Sequence, residues 1–334
     1  MPAGERVTLK DVAAHAGTSL QTVSQILNKD RDDLFRDETV TRVRLAAREL
    51  GYRPNSIARS MRSGRSNCVG LVLDWNGYRS HNPPQLVSGL LQVLEKRGRH
   101  LILSRIHEEG EGAERAPEIL REILADGLVV NYHTQIAAME AVVEASGLPA
   151  VWVNAMRSCN AVIPDDRAAA EALVTHLIAA GHRHIVYCDA YMERYLGPER
   201  HFSKVERYQG YCAAMQGAGL KPVHAKPTQQ EDFGWVADYP EATALVYYGV
   251  GAIDPRDLPD RDLCLAGFGE VPLQVGRRVM PTMVTDWDGI AVAVIDGLDA
   301  LINGAESLPM VRVTSRLVLG DEAAEYVLRR SRRV

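Results

Sequence analysis

The 334-residue chain has only five cysteines, Cys68, Cys159, Cys188, Cys212 and Cys264, an odd set with no CxxC spacing. That pattern excludes a disulfide framework or zinc knuckle as the organising scaffold and reads as reduced thiols. No window approaches the ~18 consecutive apolar residues of a membrane span. The opening MPAGERVTLKDVAAHAG has no long apolar region followed by a small-residue cleavage site, so a cytoplasmic location is expected. A glycine-rich phosphate loop is also missing, as is a nucleophile with its base. Asp165-Asp166 and His182-Arg183-His184 are the nearest approach to a catalytic cluster, but adjacent side chains point different ways on a strand. No enzyme, metal or cofactor is expected. What remains, 46% hydrophobic and 24% charged residues, is ordinary for a folded protein too long for a single core.

The small net charge of −5 hides a split. Residues 1–66 carry 12 basic and 8 acidic side chains, a net of +4, while the rest carries 26 and 35, a net of −9. Within 53–66, RPNSIARSMRSGRS holds Arg53, Arg59, Arg62 and Arg65 and no acid. A basic head on an acidic body is the electrostatic footprint of a polyanion-binding module joined to a separate domain.

Thr8 is placed to cap a helix in which Leu9, Val12, Ala13 and Ala16 recur at helical spacing, its hydroxyl free to accept an early amide. Gly17 stops that helix, and a second begins at Thr18 or Ser19 with Val23, Ile26 and Leu27 inward. A third runs from about Asp37 to Leu50, with Val40, Val43, Ala47 and Leu50 inward and Arg42, Arg44 and Arg48 outward. Two short helices joined by a glycine turn make a helix-turn-helix, whose second helix enters the DNA major groove. Leu20, Gln21, Thr22 and Gln25 lie near its start. Gln21 and Gln25 suit paired hydrogen bonds to adenine and Leu20 suits a thymine methyl. Thr8, Ser19, Thr22, Ser24 and Asn28 are short polar groups suited to phosphates.

TLKDVAAHAGTSLQTVSQILN, followed by ETVTRVRLAARELGYRPNSIARSMRSGRS, resembles the DNA-binding headpiece of the lactose repressor (LacI/GalR) family of bacterial transcription regulators. The resemblance implies a dimer on a palindromic operator of double-stranded DNA. It also implies that the stretch after GYRPN becomes a hinge helix on DNA, wedging an apolar side chain into the minor groove. Met61 stands where a leucine is usual, and methionine is among the residues that intercalate there. Tyr52, Asn55 and Ala58 match hinge positions that touch backbone or groove, with Arg59 beside them. Gln25 replaces an arginine common in the family, which implies a different base preference. KDRDDLFRDETV is longer and more acidic than the usual loop, so Asp30, Asp32 and Asp33 are expected to turn away from phosphate.

Beyond residue 66, β-branched runs alternate with amphipathic segments. Strands are predicted at Cys68–Asp74, Leu101–Ile106, Gly127–Tyr132, Ala150–Asn154, His184–Cys188, Ala244–Tyr248 and Leu263–Phe268. Helices are predicted at Gln85–Arg97, Ala116–Leu124, Ile136–Ser146, Ala168–Ala180 and Arg207–Gln216. Such alternation means parallel strands with helical crossovers, here two doubly wound lobes. The expected organisation is therefore an all-α helix-turn-helix headpiece (1–52), a hinge (53–66), and a two-lobed α/β body (67–330) like the periplasmic binding proteins. Its first lobe is expected at about 67–163 and 288–311, and its second at about 164–287 and 312–330.

Ligands of open α/β sheets sit beyond the carboxyl ends of the strands, which here means between the lobes. RYQG (Arg207–Gly210) resembles the family position whose arginine holds an effector. Arg207, Asp286, Trp287, Tyr132, His133, Asn82 and Trp75 form the candidate effector set, fitting a sugar, nucleoside or other planar metabolite. Gly249-Val250, and Gly269 followed by Glu270, stand where family members have polar groups that bind sugar hydroxyls. Two versions stay open: a cleft for an atypical small molecule, or a decayed cleft in a dimerisation body regulated by a protein partner. Each candidate also has a plain structural alternative, Arg207 as an ion-pair partner and Trp287 as core.

Overall fold

The computed structural model describes residues 7–28, 31–53, 64–73, 83–106, 125–131, 136–188, 201–225, 233–247, 262–269, 272, 274–275 and 278–320. The chain divides into two compact units, Met1–Ser66 and Asn67–Val334. The predicted helix at 116–124 and the segment 249–261 fall outside the described residues.

Among its described residues the first unit holds three helices, α1 (Leu9–Ala16), α2 (Leu20–Asn28) and α3 (Asp37–Glu49), with a 3-10 turn at Asp32–Leu34. Their apolar stripes meet in one small core of Val12, Ala13, Ala16, Val23, Ile26, Val40, Val43, Ala46 and Ala47. Leu9, Leu27, Leu50 and Tyr52 pack around it. Gly17 ends α1 at φ +60°, a left-handed corner that only glycine takes without strain. Thr8 begins α1 as expected, but its hydroxyl and amide both donate to the Asp11 carboxylate, at 2.7 and 2.8 Å. Those bonds, the hydroxyl's first, hold the Asp11 carboxyl below the usual range. Arg42 Nε donates to the Ala16 carbonyl at 2.9 Å, giving a free end of α1 a partner from α3.

Among its described residues the second unit contains two six-stranded sheets and one two-stranded hairpin. In the first lobe are β1 (Cys68–Leu73), α4 (Pro84–Lys96), β2 (His100–Arg105), β3 (Gly127–Asn131), α5 (Ile136–Ser146), β4 (Ala150–Val153) and β5 (Ala161–Pro164). The second continues with α6 (Asp166–Ala179), β6 (Ile185–Cys188), α7 (Phe202–Gly217), β7 (Val223–Ala225), a 3-10 turn at Phe233–Asp238, β8 (Ala244–Tyr247) and β9 (Cys264–Gly269). A short hairpin, β10 (Gln274–Val275) and β11 (Arg278–Val279), precedes β12 (Thr282–Val284), α8 (Trp287–Ile302), β13 (Val311–Val313) and β14 (Arg316–Val318). The first sheet runs β13-β5-β4-β3-β1-β2, parallel throughout, and the second β14-β12-β9-β8-β6-β7, parallel except for β14. β3, β4 and β5 are buried almost along their length, as strands covered on both faces must be.

The chain passes between sheets three times, at Asp165, at Thr285-Asp286 and at Thr314-Ser315. The sequence-based lobe boundary at 311/312 is displaced by this: Val311, Arg312 and Val313 pair with Val162, Ile163 and Pro164, so β13 belongs to the first lobe. Trp287 likewise packs with Leu90, Val153 and Ile290 in the first-lobe core. The helix predicted from Arg207 begins five residues earlier, because His201 caps it through an acceptor bond from the Ser203 amide. No described helix is long and apolar enough to cross a membrane.

Gly210 of RYQG has a packing reason. A Cβ there would lie 2.2 Å from the Arg167 carbonyl oxygen and 2.9 Å from Ala170 Cβ, so α6 and α7 touch backbone to backbone at this point. Gly210→Ala is expected to destabilise the body by about 1–3 kcal/mol in urea unfolding, through overpacking.

Candidate functional site

In the first unit the turn between α1 and α2 is fixed from both sides. Ser19 Oγ accepts the Thr22 amide at 3.0 Å and lies 2.9 Å from Thr22 Oγ1, so these two hydroxyls cap α2. With Val23 and Ile26 buried, the opposite face turns outward: Leu20 is 44% exposed, Gln21 is exposed, and Thr22, Ser24 and Gln25 are half-buried. Gln21 and Gln25 are one turn apart on that face, the spacing that lets one helix address neighbouring base pairs. Neither belongs to the headpiece core. Asn28 closes α2. Thr8 stands exposed at the start of α1, while Tyr52 is half-buried, its amide donating to the Ala47 carbonyl at 2.8 Å. Asn55, Ala58, Arg59 and Met61 lie outside the described residues, as does Asp30.

The acidic loop is partly neutralised within the headpiece. Arg44 reaches Asp32 at 2.5 Å, and Arg31 reaches Asp33 at 3.2 Å. Each pair is solvent-exposed, contributing about 0–1 kcal/mol to stability. Replacing Gln21 or Gln25 by Ala is expected to relax preference at one base position each by roughly tenfold or more, read by competition binding with single-base variants of a bound duplex. An unchanged preference profile would remove that glutamine from direct readout.

Of the cleft candidates, Arg207, Asp286 and Trp287 are described, while Trp75, Asn82, Tyr132 and His133 lie outside the described residues. Arg207, on α7, donates from Nε to Asp166 Oδ1 at 2.6 Å, and its guanidinium lies 4.4 Å from the centroid of the Phe268 ring. Asp166 is the first residue of α6 and is 2% exposed. Burial pushes its carboxyl up, and the Arg207 charge and hydrogen bond oppose that push. Its Oδ2 has no hydrogen-bond partner among the described residues. Asp286 instead caps α8: it is exposed, and its Oδ1 accepts the Gly289 amide at 3.0 Å. Trp287 is 4% exposed in the first-lobe core, and its Nε1 lacks a partner among the described residues.

The two crossings into helices repeat one geometry. Asp165 caps α6 with φ −83° and ψ 74°, and Asp286 caps α8 with φ −81° and ψ 76°. Each cap is followed by a buried residue with a polar atom that has no partner among the described residues, an acceptor on Asp166 and a donor on Trp287. In sequence, Asp166 stands out only as the neighbour of Asp165 in a carboxylate pair. Sequence reasoning missed Asp166 and Phe268 as the surroundings of Arg207.

Comparison with known proteins agrees with this architecture. Residues 8–55 match the model of bacterial regulatory proteins of the lacI family, and 80–232 match that of periplasmic binding proteins and the sugar binding domain of the LacI family. The chain belongs to the lacI family of bacterial regulatory proteins. Among its lacI-family relatives, the maltose regulon regulatory protein MalI of Escherichia coli is 30% identical over 233 residues, 67% of this chain and 64% of that protein. The ribose operon repressor of E. coli is 30% identical over 220 residues, 64% of this chain and 62% of that protein. The chain thus spans somewhat less than two thirds of the length of these relatives. In fold, it is similar to the lac repressor dimer bound to operator and the anti-inducer ONPF, with TM-score 0.64 and 21% identity over 94% of this chain and 98% of that one. A CelR–cellobiose complex gives TM-score 0.57, again at 21% identity, over 94% of this chain and 99% of that one. The first family match takes in all three headpiece helices. The second begins just before α4 and ends within the second lobe.

Proposed function

We propose that the protein is a sequence-specific DNA-binding transcriptional regulator, a repressor that sits as a homodimer on a palindromic operator. It acts in the cytoplasm as a binding protein and not as an enzyme. The observation that carries this reading is the outward face of α2, with Leu20, Gln21 and Gln25 presented beyond a capped glycine turn. The relatives named for operons and regulons support it. Two copies of a recognition helix call for two inverted half-sites. Met61, after GYRPN, is the residue we assign to the minor-groove wedge at the centre of the site. Thr8, Ser19, Thr22, Ser24 and Asn28 supply phosphate contacts that set register, with Tyr52, Asn55, Ala58 and Arg59 continuing them into the hinge.

The cleft between the lobes is read as the seat of a small-molecule effector, a sugar, nucleoside or other metabolite. Its support is the acceptor on Asp166 beside Arg207 and the donor on Trp287, each without a partner among the described residues, since a hydroxyl-bearing ligand offers a partner to each kind of atom. A second reading, a body without a small ligand, is favoured by Arg207 being already engaged, by Asp166 Oδ1 and the Phe268 ring. Thermal unfolding against a panel of sugars, nucleosides and organic acids separates the two. A ligand at one hundred times its Kd adds about 2.7 kcal/mol to stability, and Arg207→Ala is expected to shrink the resulting shift. No shift across the panel would leave the second reading.

A further inference from the structure

Besides the covalent crossings, two side chains at the start of α7, the cap His201 and Glu206, reach from the second lobe to the first among the described residues. His201, 7% exposed, caps α7 with Nδ1, which accepts the Ser203 amide at 3.3 Å. That assignment leaves the ring hydrogen on Nε2, which donates to the Asn154 carbonyl at 3.2 Å, just beyond β4 of the first lobe. Asn154 is itself held there: it takes φ +56°, and its amide donates to Val162 at 3.0 Å. Five residues along α7, Glu206 receives both outer nitrogens of Arg312 from β13, at 2.9 and 2.7 Å. Arg312 also lies 3.7 Å from Asp165, at the crossing itself. The bidentate pair keeps the Arg312 guanidinium above its usual range. Its Glu206 partner is only 12% exposed, so water screens it less than a surface pair.

The geometry points to the first two turns of α7 as an interlobe lock. The His201–Asn154 and Glu206–Arg312 bonds hold the lobes at their present spacing, and a ligand engaging Arg207 works the lock through the adjacent Glu206. The two anchors are about 7.5 Å apart along the helix, so a hinge rotation that parts the lobes at this face has to break both. Arg207 sits on the same turn, pinned to Asp166 at the first crossing. A ligand that takes Arg207 from Asp166 moves the segment that carries Glu206, and packed elements respond to such shifts by switching between discrete arrangements. The ligand step rests on the cleft being an effector site. The lock itself needs neither ligand nor DNA.

Hydrogen exchange of the full-length protein, without DNA or added metabolite, tests it. Glu206→Gln and Arg312→Gln are each expected to speed exchange about tenfold in segments 150–166 and 310–318, leaving α1–α3 unchanged. The double variant is expected to exchange no faster than either single one, as partners in one pair do. His201→Phe is expected to speed exchange around Asn154 alone. Arg312→Lys, which keeps the charge and loses the two-pronged bond, is expected to speed exchange in the same segments by less than Arg312→Gln, so the test survives even if a glutamine variant folds poorly. Unchanged exchange in the variants, or additive effects in the double variant, would overturn the lock. If exchange responds as expected while no metabolite shifts the melting curve, the lock stands and the effector reading alone falls.

Discussion

Between about 50 and 200 mM salt, the affinity of the full-length protein for an operator duplex is expected to fall by about 10³–10⁵. Counterion release sets the size of this fall. Each phosphate neutralised by a lysine or arginine releases condensed cations, and a dimer making six to ten such contacts gives a slope of that size. The charge to do this is concentrated in residues 1–66, net +4, and especially in Arg53, Arg59, Arg62 and Arg65, while the rest of the chain is net −9 and contributes repulsion. The acidic loop works against the effect least where it is internally paired, as Asp32 is with Arg44. Fluorescence anisotropy with a labelled duplex at five or six salt concentrations gives the slope directly. A flat response would mean that phosphates are not what the headpiece grips.

The second large effect concerns the body. Arg207→Leu is expected to destabilise it by about 3–5 kcal/mol at neutral pH, because it strands the Asp166 carboxylate, 2% exposed, without its cation. The pH dependence has a definite sign. Burial raises the folded-state pKa of Asp166 above its unfolded value, and Arg207 counters that rise. A carboxyl with a raised folded pKa costs stability at pH above that value, and the cost fades as pH falls through it toward the ordinary aspartate range. Removing Arg207 lifts the folded pKa further, so the variant is expected to recover stability relative to wild type on acidification. Chemical denaturation of both proteins at several pH values checks this, and a penalty that does not shrink in acid would contradict the assignment. Asp166→Asn in the Arg207→Leu background is expected to restore much of the loss, since it removes the stranded charge.

The headpiece was legible in sequence because everything that makes it is local. Three helices shorter than about four turns each declare themselves by apolar residues three and four apart, and Gly17 marks its own corner. The two-lobed body was legible for a related reason: parallel strands buried on both faces leave continuous apolar runs such as Leu128–Val130. What could not be read is long-range. Arg207 meets Asp166 across 41 residues, and no spacing rule connects them. The lobe boundary was displaced because β13 and β14 are three residues each, too short for their alternation to register. Asp286 and Trp287 were grouped as neighbours, yet the first residue of a helix and its cap point apart, so one is an exposed cap and the other is core.

Selection of bound duplexes from a random library by the full-length protein tests the central claim most directly. Enrichment of a two-fold symmetric motif is expected, with half-site letters that change when Gln21 or Gln25 is replaced by Ala. Failure to enrich any motif, or a single asymmetric motif indifferent to both replacements, would contradict it.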